Sequence, residues 1–311
     1  MNEEVKKCRI LYNPISTTFK KDNLEDLKDT IKKFGIKYET EESKYAGHLK
    51  ELIKEADEKD VLTITLGGDG TVSEAYSSYN EIMQQGMYTH IPTGTTNDMA
   101  KNYDVKEKKI NKIIEDILNG EVTFMDSYKV NDEIVAYTSV FGYLSHIPYI
   151  TKPVLKRKLG HAGYVISAFP YIVKKPVKYD ITYETDNIKG RTSCMLGAIT
   201  NSKGFAGIDL YKDAKLDDGK LELLLIKDAN AKLIASLVKD YLKNSIDLKK
   251  YEEHLITDKT SHVKLKFNDI YPEFNFDNDG EKSNVLPTSN NPEVNYELAK
   301  KIRVLKRKNV N

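Results

Sequence analysis

Short apolar runs alternate with amphipathic segments through the N-terminal third of the chain. The run at 61–66 is apolar and rich in β-branched residues, which is typical of a buried strand. The segments 23–34 and 105–119 instead place apolar residues at helical spacing. Strands that alternate with helices predict a parallel sheet with helices packed on its faces. The same pattern predicts further strands at 7–12, 37–41 and 87–91 and a helix at 44–56.

The pattern changes after residue 122, where short β-rich runs replace the long helical segments. One helix, at 231–243, still interrupts these runs. Several short strands at close spacing predict a second, mainly β domain of sandwich type. The predicted strands of this domain lie at 123–130, 133–140, 177–184, 192–200, 221–226 and 262–267.

Two glycine-rich turns follow two of the strands predicted in the first domain. The first reads Gly-Gly-Asp-Gly-Thr at 67–71, and the second reads Pro-Thr-Gly-Thr-Thr-Asn-Asp at 92–98. Glycines let the backbone approach a phosphate closely, and the N–H groups of a helix start favour negative charge. Neighbouring parallel strands would open both turns on one crevice. The pair therefore predicts a phosphate site, whereas either turn alone would also fit a plain tight turn.

Asp69 is the unusual residue of the first turn. Its carboxylate would repel a phosphate unless it binds a metal ion or transfers a proton. A helix is predicted to start near Thr71 and Ser73, because both are common N-terminal residue types.

Together the two motifs resemble the diacylglycerol kinase catalytic domain family, which includes bacterial soluble lipid kinases and sphingosine kinases and is distantly related to NAD kinases. An Asn-Pro turn at 13–14, an Asp-Gly turn at 218–219 and an Asp-Gly-Glu motif at 279–281 follow in the family's order. The resemblance implies an α/β plus β fold, with a Rossmann-like nucleotide-binding domain over 1–122 and a C-terminal return over 288–311. It implies a β-sandwich lipid-substrate domain over 123–287, with the active site in the cleft between the domains.

The resemblance also implies ATP as the phosphate donor, with Asp69 organising Mg²⁺–ATP. Thr17 stands where the family usually has glycine, so the first phosphate loop departs from the family pattern. Ser43 matches a nucleotide-contacting hydroxyl of the family, although a serine before a helix also serves as an N-cap. The implied nucleotide-binding residues are Asn13, Pro14, Ile15, Ser16, Thr17, Ser43, Gly68, Asp69, Gly70, Thr71, Val72, Ser73, Glu74 and Thr95.

Two acidic segments of the second domain complete the implied machinery. In the family the Asp-Gly turn holds a Mg²⁺ ion, which here would take the Asp218 carboxylate and the carbonyls of Lys215 and Lys220. Asp279 and Glu281 are both candidates for the base that deprotonates the acceptor alcohol, and Asp69 is not excluded from that role. A family aspartate is matched by Asp126, which could equally be an exposed residue at a strand start.

The implied activity is ATP-dependent transfer of a phosphoryl group to the primary hydroxyl of a membrane lipid, with diacylglycerol as the expected acceptor. Another lipid kinase or an NAD kinase is one alternative, although the downstream acidic motifs speak against NAD. A nucleotide- or lipid-binding sensor without catalysis is the other. The segment 137–149 adds weight to another acceptor lipid and to the sensor, since Tyr143 replaces a family glycine. His146 in this segment could be a general base, although a lone histidine is more often structural.

Composition adds limits on partners and location. Lys and Arg (48) nearly balance Asp and Glu (47), so the net charge of +1 predicts no nucleic-acid partner. Cys8 and Cys194 lie in strand-like runs and are expected to be buried thiols in a reducing compartment. The N-terminus lacks a signal-peptide pattern, and no apolar run reaches the length of a membrane span. We therefore expect a cytoplasmic protein that visits the inner face of the membrane transiently, with a homodimer as the assembly if it oligomerises.

A basic segment at 156–164, with Lys174, Lys175 and Lys178 beyond it, lies among aromatic residues. This composition fits contact with an anionic membrane surface. An ordinary solvated basic face is the favoured interpretation of such a segment.

Overall fold

The computed structural model describes residues 2–16, 19–94, 97–99, 109–159, 161–172, 177–211, 213–227, 230–269, 274 and 276–308. Contacts between residues divide the chain into two compact units. The first unit joins Met1–Asp126 to Lys300–Asn311, and the second comprises Ser127–Ala299. Among the described helices, none is both long and apolar enough to cross a membrane.

The first unit is built on a predominantly parallel sheet. Its strands lie side by side in the order second, first, third, fourth, last and fifth along the chain, and only the fifth runs antiparallel to its neighbour. The strands are β1 Lys7–Tyr12, β2 Lys37–Glu42, β3 Val61–Gly67, β4 Met87–Pro92, β5 Glu121–Met125 and β20 Ile302–Lys306.

Helices cover both faces of this sheet. Successive residues of a strand point to opposite faces, so each strand contributes side chains to the packing on both. On one face Leu27 and Ile114 pack with Ile64 in a single apolar core. On the other face the rings of Tyr76 and Tyr79 contact Tyr88, with centroids 6.4 and 5.5 Å apart. The helices are α1 Lys21–Lys33, α2 His48–Ala56, α3 Asp69–Glu81 and α4 Ile110–Leu118.

The second unit contains two antiparallel sheets that share an apolar core. Phe141, Leu223 and Phe276 come from one sheet, and Ile181 and Leu265 come from the other. One sheet consists of β10 Lys189–Cys194, β9 Tyr179–Thr185, β16 His262–Phe267, β19 Glu293–Leu298, β6 Tyr128–Val130 and β7 Glu133–Val135, in this spatial order. The other consists of β15 Leu255–Thr260, β14 Leu221–Ile226, β11 Leu196–Thr200, β8 Thr138–Gly142, β17 Phe276–Asn278 and β18 Glu281–Lys282.

Helices also cover the outer face of the sheet that contains β14. Leu224 points away from the sandwich core and packs with Leu233 and Tyr251. The helices of this unit are α5 Ile147–Ile150, α6 Pro153–Leu159, α7 His161–Ile172 and α8 Ala231–Leu242, with a 3₁₀ helix at Leu248–His254 and a short hairpin of β12 Gly204–Phe205 and β13 Ile208–Asp209. The predicted α/β plus β fold is therefore confirmed.

Three predicted strands are wrong in their continuity, because each is two strands in the structure. The run 123–130 breaks at Asp126, which is buried and pairs with Lys301 across 3.2 Å. The run 133–140 breaks at 136–137. The run 192–200 breaks at Met195, whose N–H donates to the Ile226 carbonyl. Apolar residues lie on both sides of each break. The hydrophobic pattern therefore could not show where the chain leaves one sheet for the other.

Two further expectations concern the residue at which the chain returns to the first unit and the state of the two cysteines. Strand β19 pairs with β16 and β6 in the sandwich, and the first unit resumes at Lys300, beyond the predicted return at 288. Cys8 and Cys194 are buried free thiols, as expected. Burial raises the pKa of the Cys8 thiol to about 12, so the thiol stays protonated near neutral pH.

Candidate active site

The first glycine turn joins β3 to α3 without a side-chain cap. Strand β3 is buried along its whole length and ends at Gly67, where a Cβ would lie 1.9 Å from Thr71 Oγ1. Helix α3 begins at Asp69 rather than at Thr71, and Gly68 is its N-cap. The helix start was placed too late because Thr71 looks like a cap residue, whereas its side chain instead fills the space beside Gly67.

The first-turn N–H groups of helix α3 differ in whether they have an acceptor. The N–H groups of Thr71 and Val72 lie 3.0 and 3.4 Å from the Gly68 carbonyl oxygen. The Gly70 N–H has no acceptor in the part of the chain that the structure describes. First-turn N–H groups lack an intrahelical acceptor and carry the positive end of the helix dipole. The turn can therefore bind an anion.

The second glycine turn lies directly against the first. Strands β3 and β4 are adjacent and parallel, with Gly67 opposite Pro92. A Cβ on Gly94 would come within 2.5 Å of the Gly68 Cα, so only glycine allows this approach of the two backbones. The Asn97 side chain accepts the Gly94 N–H at 2.8 Å and donates to the Gly94 carbonyl at 2.9 Å. The predicted neighbouring turns on one sheet edge are thus present, while Thr95 lies outside the described residues.

Asp69 links the two turns through its side chain. Its Oδ1 accepts the N–H of Met99 at 3.0 Å, in the segment that follows the second turn. The side chain is partly exposed, whereas the neighbouring Val72 side chain is fully buried. Of the predicted residues on α3, Ser73 and Glu74 have partly exposed side chains. Val72 can contact a ligand only through its backbone, because its side chain is buried.

The loop after β1 joins the same edge of the sheet. The Ser16 hydroxyl lies 3.1 Å from Thr93 Oγ1 and donates to the Thr93 carbonyl. Asn13 Oδ1 accepts the Ile15 N–H at 3.0 Å, and the Ile15 side chain is 88% exposed. The Ser43 N–H donates to the Tyr12 carbonyl, which places Ser43 beside the end of β1. Pro14 lies within this loop, whereas Thr17 lies outside the described residues.

Two residues that the sequence did not single out support the turns. Thr93 donates its N–H to the Gly67 carbonyl and also holds Ser16. His90 is buried beneath the glycines, and its Nδ1 lies 2.9 Å from Thr65 Oγ1, which in turn lies 2.8 Å from the Tyr88 hydroxyl. Burial lowers the pKa of His90 to about 3, and a hydrogen bond with the Gly67 backbone opposes that shift. The ring is therefore neutral at physiological pH.

In the second unit, the Asp279 carboxylate is held by three backbone N–H groups. Oδ2 accepts from Ala136 at 2.8 Å, and Oδ1 accepts from Tyr137 at 3.0 Å and from Thr138 at 3.1 Å. Asp279 is 2% exposed, has a φ of +54° and donates its own N–H to the Thr138 carbonyl. These hydrogen bonds fix the Asp279 turn to the bend between β7 and β8.

Glu281, the second acidic residue of this motif, has a different environment. It lies in β18 opposite Asn278, and its side chain is exposed. Its carboxylate accepts no hydrogen bond from the described residues. Asp277, one strand repeat before Asp279, is buried and accepts the Gly280 N–H at 2.9 Å.

The Asp-Gly turn before β14 contains the Mg²⁺ ligands implied by the sequence. One Asp218 oxygen accepts the Lys220 N–H at 3.1 Å, and the other lies 2.8 Å from the ammonium of Lys259. The same ammonium lies 3.5 Å from Glu222 Oε1. The Asp218 carboxylate and the Lys215 and Lys220 carbonyls are ligand types that suit Mg²⁺. In this structure, however, the Lys259 ammonium already pairs with one of the two carboxylate oxygens. A Mg²⁺ ion would have to displace this ammonium, and the ligand set stays a prediction. Among the described residues, no three His, Cys, Asp or Glu side chains come together as a metal site built from side chains alone.

Comparison with known proteins gives one consistent result. Residues 7–130 match the sequence model of the diacylglycerol kinase catalytic domain. A diacylglycerol kinase of Bacillus subtilis (strain 168) is 28% identical over 91% of this chain and 92% of its own length. A diacylglycerol kinase of Staphylococcus epidermidis (strain ATCC 12228 / FDA PCI 1200) is 30% identical over 91% of this chain and 88% of its own length.

Solved structures share the fold over nearly the whole chain. A crystal structure of a diacylglycerol kinase from Bacillus anthracis str. Sterne has a TM-score of 0.72 at 17% identity, and covers 97% of both chains. Another structure from the same strain reaches a TM-score of 0.80 at 21% identity over 98% of both chains.

Proposed function

This chain belongs to the diacylglycerol kinase catalytic domain family and is a lipid kinase, and we propose that it transfers the γ-phosphate of ATP to diacylglycerol. The product is phosphatidic acid. The names of the curated relatives support the acceptor. The observation that supports ATP as the phosphate donor is the contact between the two glycine turns at Gly68 and Gly94, beside the uncapped start of α3.

The ATP phosphates bind at this edge of the first sheet. Backbone N–H groups at an uncapped helix start attract an anion and leave room for it when the residues are glycines. Ser16 and Thr93 add hydroxyl groups at the same edge. Two further predicted nucleotide residues, Asn13 and Ser43, flank this edge at the ends of β1 and β2.

Asp69 fits a Mg²⁺ ion that accompanies ATP. It is a partly exposed carboxylate next to the phosphate-binding N–H groups, and Mg²⁺ is bound through one or two carboxylates together with substrate phosphates. When bound, the ion neutralises the charge of the transferring phosphoryl group. Asp69 itself both orients the segment at Met99 and keeps a negative charge where that ion is needed.

We assign different roles to the two acidic residues of the Asp-Gly-Glu motif. A carboxylate whose oxygens already accept three N–H groups is poorly disposed to accept a proton, so Asp279 positions the turn. The exposed Glu281 accepts the proton of the acceptor hydroxyl. As the new O–P bond forms, the bond between the γ-phosphorus and the β,γ-bridging oxygen breaks, and ADP leaves with that electron pair.

A phosphate-transfer assay tests the activity. Purified protein, Mg²⁺ and γ-labelled ATP are mixed with detergent micelles of diacylglycerol, and separately with a total bacterial lipid extract and with NAD. Label in phosphatidic acid supports the proposal. Label in another extract lipid retains the lipid kinase but refutes diacylglycerol as the acceptor, and label in NADP refutes the assigned acceptor class. ATP binding without transfer to any acceptor favours the sensor.

Substitution tests the assignment of the base. Glu281→Gln should lower kcat by about a hundredfold or more while ATP affinity is kept, because general-base contributions are typically of that size. Glu253→Gln, an exposed glutamate of the 3₁₀ helix, is the matched control and should retain wild-type kcat. A Glu281→Gln enzyme with wild-type kcat would refute Glu281 as the base and leave Asp279 or Asp69 as the candidates.

A further inference from the structure

Large exposed apolar side chains are concentrated in the mainly helical segment that follows β8. Of the twelve large hydrophobic side chains exposed among the described residues, six lie between 150 and 177. The most exposed of the six are Phe169 at 63%, Val154 at 53% and Ile166 at 52%. Ile166 and Phe169 are three residues apart on α7, so they lie on one side of that helix. The others of the six are Ile150, Leu159 and Val177.

Helix α7 is anchored to its own unit. The Tyr143 hydroxyl donates to the Tyr171 carbonyl at 2.9 Å, and the Tyr171 ring contacts His146 edge-on at 4.5 Å. A Cβ on Gly163 would lie 2.7 Å from the Leu155 carbonyl, so α6 and α7 pack closely there. Tyr143, the residue that replaces a family glycine, therefore holds this helix in place. The exposed face is the outer side of a fixed element.

The sequence of α7 departs from an ordinary surface helix. It reads His-Ala-Gly-Tyr-Val-Ile-Ser-Ala-Phe-Pro-Tyr-Ile over His161–Ile172, with no Lys, Arg, Asp or Glu. A helix on a soluble surface usually carries charges opposite its buried stripe. Contiguous exposed apolar residues instead mark an interaction site.

Charge around this face indicates what covers it. Residues 134–179 contain seven Lys and Arg and no Asp or Glu, although the whole chain carries a net charge of only +1. Lys152 and Lys158 are exposed, and neither forms an ion pair with the described residues. The local excess of positive charge next to exposed apolar side chains complements an anionic lipid surface, where the chains insert and the cations pair with headgroups.

We propose that the helical hairpin α6–α7 docks on an anionic bilayer by inserting Ile166 and Phe169, with Lys152 and Lys158 at the headgroup level. The proposal rests on the proposed function, because a kinase that acts on diacylglycerol must reach it in a membrane. In contrast to a purely basic patch, the inserted part is uncharged. The contact therefore depends on both apolar burial and surface charge.

A single-tryptophan reporter tests insertion directly. The chain has no tryptophan, so Phe169→Trp creates the sole indole in the protein. Its emission should shift to the blue when vesicles rich in phosphatidylglycerol are added, because the indole leaves water. Met83→Trp is the matched control, since Met83 is 88% exposed and lies in the first unit, and its emission should not move. Unshifted emission from the Phe169→Trp variant, or equal shifts in both variants, would overturn the proposal.

Vesicle sedimentation measures the energetic role of the same residues. Phe169→Asp combined with Ile166→Ser should lower partitioning onto phosphatidylglycerol vesicles by about tenfold or more. Wild-type binding should weaken at high salt and on phosphatidylcholine vesicles. Variant binding equal to wild type, or wild-type binding that ignores both salt and lipid charge, would overturn the proposal.

A soluble acceptor separates this proposal from the proposed function. Phosphorylation of monomeric dioctanoylglycerol needs no bilayer, so the double variant should turn it over at the wild-type rate. Loss of that activity in the variant would mean that α7 serves the active site rather than membrane docking. Absence of that activity in the wild-type protein would instead count against diacylglycerol as substrate, and the vesicle measurements would still decide the docking surface.

Discussion

Replacing Asp279 should destabilise the β-sandwich unit severely, in spite of its place in a motif expected to be catalytic. Asp279→Gly removes the acceptor of three buried N–H groups, those of Ala136, Tyr137 and Thr138. Each buried donor left without an acceptor costs about 1–3 kcal/mol, so the three together cost about 3–9 kcal/mol. Glycine adopts the native φ of +54° without strain, so the loss reports mainly the hydrogen bonds, with a smaller share from the greater freedom of glycine in the unfolded chain.

Thermal unfolding followed by circular dichroism measures this loss. At about 2–4 °C per kcal/mol for a unit of this size, even the lower end of the range lowers Tm by about 6–12 °C. Asp279→Asn should fall between wild type and glycine, because an amide nitrogen would face one of the backbone donors. Glu281→Gln, in the same hairpin but exposed, is the control and should leave Tm unchanged. An Asp279→Gly protein with the wild-type Tm would refute the reasoning.

Three further predictions concern the glycine turns, the buried histidine and the Asp-Gly turn. Gly94→Ala should weaken ATP binding by about tenfold or more in equilibrium titration, and more than Gly68→Ala, because its Cβ would meet backbone at 2.5 Å rather than 3.2 Å. As the pH falls from about 6.5 to 4, His90 takes up a proton in the unfolded state but stays neutral in the folded state, where its pKa is about 3. The free energy of unfolding should therefore drop by up to about 1.4 kcal/mol per pH unit from this residue. In urea titrations His90→Gln should flatten that slope, and an unchanged slope would contradict the pKa of about 3. Lys259→Met should increase the Tm rise that Mg²⁺ produces, because it removes the ammonium that pairs with Asp218. Lys220→Met should not, because the Lys220 ammonium pairs with Asp186 instead. A Mg²⁺ response equal in wild type and Lys259→Met would show that Lys259 does not compete with the metal.

Local residue chemistry was enough to predict the glycine turns and the strands that lead to them. Gly67, Gly68 and Gly94 are recognisable because no other residue allows such close backbone approach, and the apolar run before Gly67 leaves one interpretation of β3. The alternation of strand and helix then predicted a parallel sheet, since such connections rarely form any other arrangement.

The supporting residues could not be predicted because their partners lie far away in sequence. Asp279 meets the N–H groups of residues more than 140 positions earlier, and nothing in the local pattern of either segment specifies that register. The Lys259 ammonium reaches Asp218 only because β14 and β15 pair as they do. Thr93 and His90 look like ordinary strand residues, and their roles emerge only when β3 and β4 are side by side.

The position of β20 constrains the order in which the protein can be made. This strand lies between β4 and β5, so β5 joins its sheet only through β20. During translation β20 leaves the ribosome after the entire β-sandwich unit, although β1 to β5 leave before it. The first unit must therefore wait with an incomplete sheet edge until the sandwich has been synthesised, a period in which an unpaired strand is open to wrong partners. Ordered folding on the ribosome would thus begin with the inserted unit and end with the nucleotide-binding one.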